Sequence, residues 1–332
     1  MAADVVEAEV AVANLNIDAV ALADTEALAR LLLRAESVAS AYIEGLVVGG
    51  RRLLRAEAAR TLGGSAPDVT ADEVLGTIDA MSWAMESLAS ADQVTVDGLL
   101  EVHRRLLAGT RLDEHAGQIR TVQNWIGGSS FNPCSAVFVP APPDHVAALL
   151  EDLCDFIDGD ALPAVVQAAI AHAQFETIHP FVDGNGRTGR VLIHVILRRR
   201  GLAPRILPPV SLVLATWSSS YVEALTATRY RGRFDSAAAH EGANRWIGLF
   251  AAACRRAVAD AADFEGKVEH IGERWREMLG AVRGARPSSC SLASSPVRRS
   301  CPSVAPPISS AEVSRRRTKP CAGSRKPASS GK

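Results

Sequence analysis

Within twelve positions, His179 to Arg190, the sequence HPFVDGNGRTGR gathers a histidine, a carboxylate at Asp183, a Gly184-Asn185-Gly186 turn and two arginines, Arg187 and Arg190, three residues apart. Each type brings a chemistry. An imidazole with an ordinary pKa of about 6.5 suits a general base that takes a proton from an attacking hydroxyl near neutral pH, which is the role open to His179. Backbone N–H groups at the start of a helix lack intrahelical partners, and glycines at 184 and 186 let an anion come close to them and to Asn185. Arg187 and Arg190 fall on one helix face, where two guanidinium forks can hold further phosphate oxygens. Asp183 beside such a site suits Mg²⁺, which commonly takes one or two carboxylates plus phosphate oxygens. The set fits transfer from a nucleoside triphosphate to a hydroxyl, with positioning and electrostatics supplying most of the rate.

These residues need a helix, a turn and a second helix. PAVVQAAIAHAQFETI reads as helical up to His179, Pro180 and the two glycines interrupt it, and RTGRVLIHVILRRR restarts a helix that Gly201 stops. Arg198, Arg199 and Arg200 are basic residues favouring that helix's C-terminus. Elsewhere the helical signals are plentiful. Asp24 can cap a helix with apolar positions Leu28, Leu31, Leu32, Ala35, Val38, Ala39 and Tyr42, ending at Gly45, and Thr70 with Glu73 forms a capping box before VLGTIDAMSWAMESLA. Further helical patterns are VDGLLEVHRRLLAG, HVAALLEDLCDFI, YVEALTAT and NRWIGLFAAACRRAVADAADF. One irregular region, Gly117 to Pro143, mixes β-formers such as Val122, Trp125, Ile126, Val137, Phe138 and Val139 with a Gly-Gly-Ser-Ser turn, and predicts a short β-hairpin. An open hairpin edge can accept an extended peptide as an added strand.

The fold class is therefore mainly α, a helical bundle with a short β-hairpin flap. Hydrophobic content of 48% and charge of 22% over 332 residues fit a soluble globular chain. No run approaches a membrane span and the acidic N-terminus lacks signal-peptide features, so a cytoplasmic protein with no membrane partner is expected. Six cysteines, at 134, 154, 254, 290, 301 and 321, show no paired metal-ligand spacing and are expected as free thiols. The segment 285–332 is rich in Ser, Pro and Arg, has ten basic residues against Glu312, and is expected to be a disordered basic tail. Its charge of +9 leaves −10 on residues 1–284, a split that the overall −1 conceals. The divisions expected are an N-terminal segment 1–24, a helical region 25–110, a catalytic core with flap and C-terminal helices 111–284, and the tail.

His179 to Arg190 resembles, without departure, the signature of the Fic family, His-Pro-Phe-x-Asp/Glu-Gly-Asn-Gly-Arg-x-x-Arg. The preceding AHAQFETI and the block around Gly117 to Leu153 look like the family's segments in order, so the likeness covers roughly residues 25 to 280. It implies a protein adenylyltransferase that moves AMP from ATP, with Mg²⁺, to a Ser, Thr or Tyr hydroxyl of a protein. His179 would be the base, Asp183 the metal ligand, Gly184, Asn185 and Gly186 the anion hole, Arg187 and Arg190 the phosphate clamps, and Phe181 the anchor of the loop. Tyr221 falls near the nucleotide base, and Gln118, Ile119, Arg120, Trp125 and Ile126 on the target flap. SAYIEG, Ser40 to Gly45, matches the family's inhibitory pattern Ser/Thr-x-x-x-Glu-Gly/Asn, so Glu44 would pair with Arg190 in place of a γ-phosphate. Some members use that glutamate to orient water for AMP removal.

Other readings stay open at this point. Another nucleotidyl, phosphoryl or phosphocholine transfer fits the same scaffold, and so does a silent toxin-type or nucleic-acid-binding module working through the basic tail, though no motif position is degenerate. Self-modification and a homodimer are open, and a nucleic-acid partner is not expected. His172 and His194 are expected as packed core histidines, and Trp125 and Ile126 serve hairpin packing as well as target contact.

Overall fold

The computed structural model describes residues 1–18, 25–64, 68–129, 132–230 and 232–280; the cap at Asp24, the tail 285–332 and Cys290, Cys301 and Cys321 lie outside them. In chain order the helices are α1 (Ala2–Asp18), α2 (Thr25–Ile43), α3 (Gly50–Thr61), α4 (Val69–Trp83), α5 (Val96–Leu107), α6 (Pro143–Asp158), α7 (Ala164–Ile178), α8 (Asn185–Arg199), α9 (Val210–Thr216), α10 (Ser218–Ala227) and α11 (Ala237–Gly280). Among the described residues no helix is long and apolar enough to cross a membrane. Cys134, Cys154 and Cys254 are free thiols.

α7 and α8 form the antiparallel pair at the centre. α7 is buried almost all round, and its small residues Ala168, Ala169 and Ala171 allow neighbours to approach closely. Trp246 on α11 lies 1% exposed against this pair, its indole N–H donating to the Ala169 carbonyl at 2.7 Å. One hydrophobic cluster runs from Val5 to Ala257 across the expected divisions. The segment before Asp24 joins it, because α1 inserts Val5, Ala8 and Val12. Glu9 accepts the Val165 N–H at the start of α7 (3.2 Å), and Asn16 exchanges hydrogen bonds with the main chain of Arg205 and Ile206.

α2 follows its apolar pattern at Leu28, Leu32 and Ala39, but Tyr42 is exposed, and polar Glu36, Ser37 and Ser40 are fully buried. Glu36 explains part of this: its carboxylate accepts the Ser211 N–H at 2.7 Å on α9 and lies 2.8 Å from His194 Nε2 on α8. α4 starts two residues earlier than the expected capping box at Thr70. Asp68 caps it by accepting the Ala71 N–H at 3.1 Å, while Glu73 is buried. Thr95 caps α5 in the same manner.

The expected β-hairpin is corrected to an irregular loop. Among the described residues of 117–143 one antiparallel bridge pairs Ile126 with Phe138, with Ile126 N–H donating to Phe138 O at 2.9 Å. The β-formers are outvoted locally. Gly127 and Gly128 both take left-handed φ (72° and 75°), a 3₁₀ turn occupies Pro133–Ser135, and Pro140, Pro142 and Pro143 have no N–H to extend a ladder.

Candidate active site

The turn between α7 and α8 is fixed by bonds to its own main chain. Asn185 accepts the Phe181 N–H and donates to the Phe181 carbonyl, both at 2.8 Å, and Asn124 adds a donor to that carbonyl at 3.0 Å. Phe181 itself is fully buried, as its anchoring role requires. His103 on α5 stacks flat on it, ring centroids 3.7 Å apart, and links Asp183 O at 2.9 Å with the Gly117 N–H at 3.0 Å. Since Gly117 donates to Nδ1, the ring proton sits on Nε2 and His103 is neutral. Burial pushes its pKa down to about 4.

His179 ends α7 as the single non-glycine residue with positive φ among those described (φ 50°). A left-handed residue at this position ends the helix and starts the turn. Burial, followed by the Arg229 guanidinium, holds its pKa down to about 4, so the ring is neutral and able to accept a proton at neutral pH. Asp183 is half exposed, and its nearest cation is Arg187 at 3.5 Å. Gly184 takes a left-handed φ of 79°, and a Cβ there would meet Leu106 at 2.8 Å. From Gly184 the chain enters α8, whose first N–H groups have no carbonyl of their own helix to bond.

Arg187 is 3% exposed, and its Nε and Nη1 are buried without a hydrogen-bond partner. A buried cation with two unmet donors is costly unless an anion completes it. Arg190 is also buried, but fully engaged. Its Nε donates to Ser40 Oγ, and its Nη2 to Ser40 O and to Glu44 Oε1, each at 2.8 Å. Burial opposes its charge, and the Glu44 carboxylate overcomes that and raises its pKa above the usual arginine value. Gly186 makes this contact possible, since a Cβ there would fall 1.9 Å from Glu44 Oε1. Gly45 follows with φ 81°, turning the chain out of α2.

The geometry thus gathers His179, Asp183, Gly184, Asn185, Gly186, Arg187, Arg190, Ser40, Glu44 and Gly45 around one turn. Tyr221, expected near a nucleotide base, lies beside the buried Arg190. It is 4% exposed, and its hydroxyl pairs with His172 at 2.8 Å behind the arginine clamp, which also accounts for His172 as a packed core histidine. Of the flap residues, Arg120 is 2% exposed and spends its guanidinium on the carbonyls of His179 (2.8 Å), Ile178 and Ala141. It pins the loop to the turn. Ile119 packs against the core, Gln118 is exposed and donates to Glu114 O, and Trp125 and Ile126 are half-buried, the indole donating to Ser129 O at 2.7 Å. His103 and Asn124 were absent from the expected set. His103 lies on the apolar stripe of α5 with Leu99 and Leu106, where a histidine needs partners for both nitrogens, and that was the available signal.

Two family models match this chain: the Fic/DOC family over residues 93–197 and the Fic/DOC family N-terminal region over residues 2–86, together more than half of it. Among curated relatives, a Caenorhabditis elegans protein named protein adenylyltransferase fic-1 is 34% identical over 182 residues, which are 53% of this chain and 34% of that protein. A Drosophila willistoni protein named protein adenylyltransferase Fic is 36% identical over 140 residues, 41% of this chain and 26% of that one. The chain therefore spans about a third or less of the length of these relatives. Among solved structures, a Fic family protein from Desulfovibrio desulfuricans superposes with a TM-score of 0.60 at 26% identity, covering 79% of this chain and 75% of that one. Fic-1 from C. elegans, at 23% identity and a TM-score of 0.58, shares the fold over 81% of this chain and 74% of its own.

Proposed function

The chain belongs to the Fic/DOC family, and from that premise we propose that it is a protein adenylyltransferase, moving AMP from ATP to a Ser, Thr or Tyr hydroxyl of a protein and held in check by Glu44. The observation that carries this reading is Arg187, a buried guanidinium with two unmet donors beside a glycine-lined helix N-terminus. That combination calls for a polyanion. The names of the curated relatives support AMP as the group transferred.

The residues divide the work as follows. The Gly184–Gly186 turn and the first N–H groups of α8 receive the phosphates, and Arg187 neutralises them. Arg190 supplies the second clamp once Glu44 leaves it. His179 accepts the hydroxyl proton as the target oxygen bonds to the α-phosphorus. The bond from that phosphorus to the bridging oxygen breaks, and pyrophosphate leaves. Asp183 fits Mg²⁺: it is a half-exposed carboxylate next to the anion site, and a cation arriving with the nucleotide needs few protein ligands. Asp183 would hold it, and the ion would neutralise charge on the phosphates. The exposed stretch Thr121 to Gln123 offers main chain for pairing with an extended target segment.

Intact-mass analysis of the chain carrying Glu44→Gly after incubation with ATP and Mg²⁺ tests the reading, with His179→Ala added as the control. A general base contributes roughly 10²–10⁴ in rate, so the variant should gain no AMP mass while its circular dichroism is unchanged. Near-full labelling by His179→Ala would remove His179 from the mechanism, and label from the γ-phosphate alone would replace AMP transfer by phosphoryl transfer.

A further inference from the structure

Glu176, three residues before His179 on α7, is the charged group of this centre that the reaction as written leaves unused. It is 8% exposed, and its Oε1 is buried with no hydrogen-bond partner. Its Oε2 lies 3.9 Å from His179 Nδ1, which is itself buried and unpartnered. Space for the carboxyl is provided by a missing side chain, since a Cβ at Gly189 would come within 2.8 Å of Oε1. A buried carboxylate left short of partners destabilises a fold, and a hydrophobe of similar volume would serve packing better. Its neighbour is the proposed base, whose unmet Nδ1 faces the other carboxyl oxygen, Oε2.

We propose that Glu176 is a positioning residue for His179: its carboxylate accepts the Nδ1 proton, leaving Nε2 unprotonated toward the substrate and stabilising the imidazolium formed there. This rests on the reading of the centre as an AMP transferase. The proton balance is simple. The target hydroxyl gives its proton to Nε2, the Nδ1 proton stays on the ring, and the carboxylate takes none. A 3.9 Å separation must shorten by about 1 Å to reach a hydrogen bond, an adjustment usual between resting and reacting centres.

The groups facing Glu176 set when it is ionised. Burial pushes its pKa up to about 7, Arg190 on α8 opposes this, Glu44 after α2 adds to it, and Arg229 beyond α10 opposes it. His172 on the same helix is neutral, held down to about 3 by burial. The carboxylate therefore forms as pH rises toward 7, well above the value of about 4 for the His179 ring. An acid limb near neutrality would belong to Glu176. Withdrawal of Glu44 removes a like charge and makes ionisation easier, so the limb should move down when Glu44 is replaced. Because the folded pKa is raised, stability is lost as pH rises through about 7, and removing the carboxyl should restore it there but change nothing near pH 4.5.

The test uses the full chain carrying Glu44→Gly, with Glu176→Gln and Glu176→Met added singly. Labelling with ATP and Mg²⁺ is followed by intact mass from pH 5 to 8.5, alongside melting temperature and nitrogen NMR of His179. Expected are a kcat about 10²-fold lower with KM for ATP unchanged, loss of the acid limb, and a melting temperature raised above pH 7. His179 should be the Nδ1–H tautomer at pH 8 with Glu176 present and a mixture in Glu176→Met. Full rate with an unchanged acid limb in Glu176→Gln would overturn the proposal, and so would a fall in melting temperature accompanying the loss of rate. If Glu44→Gly with Glu176 intact labels nothing, the AMP-transfer reading fails instead. The tautomer then decides for Glu176: the same mixture with and without it overturns the proposal, and a shift on its removal upholds it.

Discussion

Replacing Glu44 by glycine should release the enzyme, and the size of the release can be worked from the contact it removes. Glu44 Oε1 accepts from Arg190 Nη2 at 2.8 Å, with Arg190 1% exposed and Glu44 37% exposed. A hydrogen bond between charged groups contributes about 1.5–3 kcal/mol, and the exposure of Glu44 argues for the lower end. That energy keeps the clamp free of Glu44 roughly a tenth of the time, so a phosphate seeking Arg190 gains about tenfold in apparent affinity when the glutamate is gone. Geometry adds to occupancy. A phosphate chain displaced by about 1 Å loses on the order of 10²-fold in rate, giving a combined rise approaching ~10³-fold at low ATP and ~10²-fold at saturation. Intact-mass labelling over a range of ATP concentrations reads both numbers. Adding Arg190→Ala to Glu44→Gly should abolish the gain, because the freed space then has no clamp. Labelling by Glu44→Gly within twofold of the natural chain, with ATP and Mg²⁺ saturating, would refute the inhibitory reading.

Acid stability offers a separate check on burial. His103, His172 and His179 are each held below 6.5, to about 4, 3 and 4, chiefly by burial, so their contribution to stability is full above pH 6.5 and falls as pH drops from 6.5 toward 4. Glu176 acts in the opposite sense over part of that range, so the urea midpoint is best followed in Glu176→Gln, where a flat midpoint between pH 7 and 5 would contradict the assignment of three neutral histidines. Arg120→Lys retains the charge but cannot fork to several carbonyls. It should loosen the flap, detected as faster proteolysis within 121–142 and as lower transfer to a protein target, with ATP binding changed less than twofold; equal loss of both would mean that the arginine supports the nucleotide site itself.

The turn from His179 to Arg190 was legible because its residues are consecutive and its glycines, proline and charged groups leave little choice of local structure. The Glu44–Arg190 contact was legible for a related reason: Ser40, Glu44 and Gly45 form a compact pattern at a helix end. What escaped depends on tertiary packing. His103 and Asn124 are single polar residues whose partners lie 80 and 57 positions away, a separation that no local pattern encodes. Arg120 was placed on the target flap by resemblance alone, whereas its guanidinium is taken up by main-chain carbonyls that a local pattern does not reveal. In 117–143 the β-formers were counted, but the prolines and paired glycines that remove donors and reverse the chain decided the outcome. Glu36 and the Tyr221–His172 pair show the remaining difficulty, since a buried partner on another helix leaves no local pattern.

The 146 positions separating Glu44 from Arg190 also have a meaning in the order of synthesis. Translation proceeds from the N-terminus at about 5–20 residues per second, so α2 emerges roughly 7–30 s before the clamp it will cover. The proposed brake is therefore made first, and each nascent molecule meets its own α2 at unimolecular concentration when the α7–α8 turn closes. No interval exists in which a complete phosphate site waits in the cell for its inhibitor. A chain assembled in the reverse order, with α2 grafted after α11, would contain the same contacts yet expose a working centre to ATP while the last helix was still being made.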